Sequence, residues 1–144
     1  MSTYSTRILI ALFLIAHGWI HYSLTKVPTP APDALRTPFW PGLGRADIDP
    51  LWLASRLGLA PATVRVIGII LWIATVAGFC IAGLALIILP GQPMIWQTTA
   101  VFGATASLLL LIFYWHPWLV MGVLINLAVY ASTALHWPAA LFTR

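Results

Sequence analysis

Apolar residues run along the chain in four long blocks, and most polar residues fall between them. The blocks are about Ile8 to Leu24, Val64 to Leu89, Met94 to Trp115 and Trp118 to Trp137. Each approaches the roughly 20 apolar residues with which a helix crosses a hydrocarbon core about 30 Å thick. In lipid such a run must be helical, because only there does the backbone satisfy its own N–H and C=O groups. The pattern predicts an all-α fold: a polytopic membrane four-helix bundle, residues 1–144 forming one transmembrane domain.

The links between blocks are unequal. Pro90 to Pro93 (PGQP) and the pair His116–Pro117 are tight hairpins, whereas the connection from Lys26 to Thr63 is long and proline-rich. Pro117 lacks an N–H and has its φ preset for a first helical turn, and it pushes the preceding residue out of helical geometry. His116 is therefore expected at the corner between the third and fourth spans. Within the long connection, Asp49 can cap, Pro50 suits a first turn, and Leu51, Trp52, Leu53, Leu57 and Leu59 supply apolar contact around a helix running to Gly58. A short interfacial helix is expected there, between helices 1 and 2, covering one end of the bundle.

Composition agrees with a membrane protein: 61% of residues are hydrophobic and 7% charged, and the mean hydropathy is +0.96, outside the balance of soluble domains. The net charge of +4 comes from seven Lys and Arg against three acidic residues, with no basic cluster. The basic residues read as topology signals and headgroup contacts, not as a nucleic-acid surface. The end bearing the long connection, called end B, carries Lys26, Arg36, Arg45, Arg56 and Arg65, and the opposite end A carries Arg7 and Arg144. The positive-inside rule then predicts a multi-pass cell-membrane protein with connection 26–63 cytoplasmic and both termini outside. No small-x-small cleavage site follows the run from Arg7 to Ala16, so the first helix is expected to be retained. The single cysteine, Cys80, lies in an apolar run and reads as a packing group.

The polar chemistry gathers at end B. His17 and His21 lie four residues apart, hence on one face of the first helix, and lipid is a costly direction for them. His116, Trp19, Trp115 and Trp118 are predicted at the same end, and Gly18 removes bulk beside His17. Asn126, in line with Gly122 and Tyr130, reads as an interhelical hydrogen bond ahead of a ligand contact. Small residues recur every four positions at Ala74, Gly78 and Ala82, at Ala100 and Ala104, and at Gly103 and Ser107, which predicts close helix packing.

Several readings of the histidines stay open. A pocket at headgroup depth, lined by His17, His21, His116, Trp19, Trp115, Trp118 and Asn126, would offer hydrogen bonds to a quinone carbonyl or a lipid. An i, i+4 histidine pair is also a two-ligand platform for a metal ion, with His116 as third ligand. Haem or chlorophyll needs an axial imidazole, and His136 stands at the wrong end to supply a second one. A structural alternative has the histidines bonding backbone carbonyls or Asp47 and Asp49. No serine–histidine–aspartate pattern, phosphate-binding glycine loop or membrane-embedded carboxylate is present, which argues against hydrolytic, nucleotide-binding and ion-coupled transport functions.

The segments Arg7 to His21 (RILIALFLIAHGWIH) and Arg65 to Ile87 resemble the first two helices of the small four-helix DoxX-like membrane proteins. In that family an arginine precedes an apolar run that ends in a His-Gly pair and a basic residue; His21 stands where lysine is common. The resemblance implies a redox-membrane setting, some members being named as small subunits of quinone-linked oxidoreductases. The expected function is thus a small membrane subunit or accessory protein of a redox or electron-transport complex with a quinone or lipid pocket. Its expected partners are the bilayer and larger complex subunits, or further copies of itself. The alternatives are a metal-dependent membrane enzyme using His17, His21 and His116, and a purely structural or pigment-associated subunit.

Overall fold

A computed structural model describes residues 2–21, 56–115, 119–138 and 141. Among these residues the protein is all-helical, with four helices and no strand: α1 (Thr3–Ile20), α2 (Pro61–Ile88), α3 (Pro93–Phe113) and α4 (Val120–Ala134). The first three are long and apolar enough to cross a membrane. At 15 residues, α4 is a shorter apolar helix than the span expected at Trp118 to Trp137.

Local chemistry sets the boundaries. α1 begins five residues before the apolar run, because Ser2 accepts a hydrogen bond from the Ser5 backbone N–H and caps the first turn. Pro61 and Pro93 open α2 and α3, where a missing N–H costs nothing. The Leu89–Gln92 turn between α2 and α3 is closed by the Gln92 N–H on the Leu89 carbonyl at 3.0 Å. Of the expected interfacial helix only the end is described: Arg56 and Leu57 are helical, and Gly58 stops the turn at φ 65°, a conformation that suits glycine. Residues 26–55 of the connection, with His116 and Trp118, lie outside the described residues.

The helices pack in chain order: α2 against α3 most extensively, then α1 against α2 and α3 against α4. All three pairs are antiparallel. Gly18 meets Phe79 while Gly83 meets Ala11 and Ile15 across α1 and α2; Gly78 meets Gly103; and Ser107 and Leu111 face Asn126 and Gly122 across α3 and α4. Ser2, the Leu89–Gln92 turn and the C-terminal end of α4 therefore share end A. His21, Pro61, Phe113 and Val120 share end B.

The small-residue stripes lie at the tightest of these crossings. A Cβ on Gly78 would sit 2.6 Å from the Gly103 Cα, and one on Gly83 would sit 2.9 Å from the Ala11 carbonyl oxygen. Around them Ala11, Leu14, Phe79, Ala82, Leu86, Ala100 and Ala104 form the main apolar core, with Leu110, Leu111 and Tyr114 in a second cluster toward end B.

Candidate functional site: a buried histidine–asparagine–serine node

The buried face of α1 repeats at helical spacing: Arg7, Ala11, Leu14, His17 and Gly18, continued by His21. His17 and His21 thus point inward, where they meet Asn126 of α4 and Ser107 of α3, both fully buried. These four side chains form one connected network. The rings of His17 and His21 stand edge-on with centroids 4.9 Å apart, and Phe79 packs edge-on against His17 at 5.2 Å. Phe13 lies parallel to His17 one turn below.

Valence fixes the direction of every bond. His21 Nδ1 lies 2.8 Å from the His17 carbonyl oxygen, which only accepts, so Nδ1 carries the proton and donates. In the neutral ring Nε2 is then an acceptor, and the Ser107 hydroxyl donates to it across 2.7 Å. Ser107 Oγ accepts in turn from Asn126 Nδ2 at 2.7 Å. The remaining atom of the amide, Oδ1, accepts from His17 Nε2–H at 3.2 Å. The circuit runs from the His17 ring through Asn126, Ser107 and His21 back to the His17 backbone, complete with both imidazoles neutral. It ties α1, α3 and α4 together through buried polar groups, each of which would be costly to bury without a partner.

Three of the four ring nitrogens are thereby engaged within the protein. His17 Nδ1 is left carrying a lone pair, so a ligand reaching it would have to donate, as a quinol hydroxyl does; a quinone carbonyl could not bond there. Among the described residues no group of three or more His, Cys, Asp or Glu side chains comes together as a metal-ligand set.

Of the other sequence-predicted residues, Trp19 and Trp115 stand apart from the node. Trp19 points outward, 60% exposed, and meets Trp72 of α2 edge-on at 6.3 Å. Trp115 is also exposed. His116 and Trp118 lie outside the described residues. Ser107 is the member that sequence reasoning read only as a small packing residue. Its signal was present: a hydroxyl within an apolar span, four residues from a glycine on the packed stripe.

Beyond the His17–Asn126 bond, toward end A, α1 and α4 part. The opening is an apolar slot of about 170 Å³, walled by Phe13 and Leu14 on one side and Ile125 and Val129 on the other, with Trp96 and Ala100 as its floor. Trp137 and Leu141 reach its outer end. The Ser132 hydroxyl, which also lines it, is already donated to the Trp137 carbonyl.

The class these features define, among the described residues, is an all-helical protein with three helices long and apolar enough to span a membrane. No protein-family model, curated protein or solved structure matches the chain.

Proposed function

We propose that the chain is a small integral membrane accessory subunit of a redox or energy-converting complex, with the histidine node acting as its internal pin. One observation carries this reading: the residues with chemical potential, His17, His21, Ser107 and Asn126, spend their hydrogen bonds on one another. The outward surfaces instead present large apolar side chains such as Ile70, Ile73, Leu84 and Leu127, suited to lipid or to neighbouring membrane helices. The redox setting is supported by the resemblance of Arg7 to His21 and Arg65 to Ile87 to DoxX-like helices. A quinone-family molecule at the node would bind in its reduced form, through His17 Nδ1.

The test is to tag the full chain, extract its membrane in mild detergent, and analyse the purified material by native gel, protein mass spectrometry, metal analysis and quinone extraction. Co-purification of a larger redox complex in stoichiometric amount supports the accessory role. A solitary chain carrying stoichiometric copper, zinc or iron overturns it in favour of a metal-dependent enzyme with His17, His21 and His116 as ligands.

A further inference from the structure

We propose that the slot between α1 and α4 is a binding site for one acyl chain of a membrane phospholipid, entering from end A. Three observations lead there. First, α1 and α4 are joined by the His17–Asn126 bond and separate below it, so the slot opens sideways between helices rather than into the protein's interior. Its walls belong to apolar helices of a membrane-spanning protein, and the medium against it is hydrocarbon.

Second, the slot offers little to water. Apolar cavities of about 150 Å³ stay dry and take apolar guests; this one is of that size, and the hydroxyl on its wall, Ser132, is committed to Trp137. An empty slot would forfeit dispersion contacts along Phe13, Leu14, Ile125 and Val129 that a methylene chain supplies.

Third, the two ends differ. The inner end is shut by the His17–Asn126 bond with Phe13 stacked beneath it, so an occupant terminates there. The outer end reaches Trp137, 69% exposed where α4 has ended. An occupant must therefore keep its polar head at the end A boundary and send only hydrocarbon inward. A phospholipid meets that requirement, whereas a ligand whose head needs hydrogen bonds within the slot does not. The site is independent of the accessory role proposed above and would exist in the isolated chain.

The experiment uses the full chain in bilayer nanodiscs containing phosphatidylcholine with a photoactivatable diazirine midway along one acyl chain, with adducts mapped by peptide mass spectrometry. Adducts on Phe13, Leu14, Ile125 or Val129 are expected at several-fold the level on the outward residues Ile70 and Ile73 of α2. Ala128 of α4 also lines the slot and is exposed, so Ala128→Phe fills the slot without entering the core; it should abolish that excess and leave the α2 adducts unchanged. Unlabelled phosphatidylcholine should compete. Equal labelling of slot and outward faces overturns the proposal, as does an excess that survives Ala128→Phe. Should that variant fail to fold, competition on the wild-type chain decides: displacement by a long-chain isoprenoid quinone at a mole fraction where phosphatidylcholine has no effect overturns the choice of occupant.

Discussion

Proton placement at the node makes a prediction at the level of single nitrogens. His17 must be the Nε2–H tautomer, because its partner there is the Asn126 carbonyl, and His21 must be the Nδ1–H tautomer, because its partner is a backbone carbonyl. Nitrogen-15 spectra of the histidine-labelled protein should therefore show two neutral rings of opposite tautomer. Two rings of the same tautomer would break the circuit at Ser107 or Asn126. Stability gives a second check. Asn126→Ala removes the acceptor of His17 and the donor to Ser107, and Ser107→Ala strips His21 Nε2 of its donor. Each should cost about 1–3 kcal/mol, the range for leaving a buried partner unsatisfied, tempered by the roughly 0.6 kcal/mol average measured for hydrogen bonds between membrane helices. Because the two residues share a bond, the double variant should cost less than the sum of the single ones. Reversible unfolding in mixed micelles measures this, and strict additivity would show that the circuit is not a unit.

At the scale of helices, the crossing of α2 and α3 leaves no space for a methyl group at Gly78, since its neighbours there are the backbone of Gly103 and the Thr99 carbonyl, which cannot swing aside. Gly78→Ala should destabilise the protein by about 1–3 kcal/mol through forced separation of the helices, while Gly91→Ala, in open space on the connecting turn, should change little. Equal effects would mean that the α2–α3 crossing gives way enough to take the methyl group and that close packing at Gly78 does not govern stability. This crossing was legible in the sequence, because small residues four apart mark a face along which backbones approach. The existence of α1 to α3 was legible for a related reason: the cost of unpaired backbone in lipid turns long apolar runs into helices. Rotation of one helix against another was not. Each helix is apolar around most of its circumference, so no polar stripe announces which face turns inward. The inward turn of His17 and His21 could be argued from the cost of lipid-facing imidazole, but their meeting with Asn126 and Ser107 depends on depth matching across three helices. The early start of α1 was hidden because Thr3, Ser5 and Thr6 read as flank, although Ser2 caps them into the helix.

For the molecule as a whole, antiparallel packing fixes which ends lie together, and charge then predicts how they sit across the bilayer. Ser2 and Gln92 stand at end A and Ala60 at end B, all three exposed. In the sequence five basic residues, Lys26, Arg36, Arg45, Arg56 and Arg65, belong to the connection between α1 and α2 and its flank on α2, against Arg7 and Arg144 nearer the termini. Arg7 is moreover buried on the inner face of α1, so its charge is held against protein and not offered to headgroups. Translocation of end B would carry more positive charge across the membrane than translocation of end A, and the positive-inside rule keeps the more basic end in the cytoplasm. With Cys80 replaced by serine, Ser2→Cys and Gln92→Cys should each react with an impermeant maleimide added to intact cells, and Ala60→Cys only after permeabilisation. The reverse pattern would mean that α1, whose own flanks are nearly balanced, sets the orientation against the later loops. Labelling of Ser2 and Gln92 from opposite faces would go further, because it is incompatible with α1 and α2 running antiparallel and hence with His17, Phe79 and Asn126 meeting at one depth.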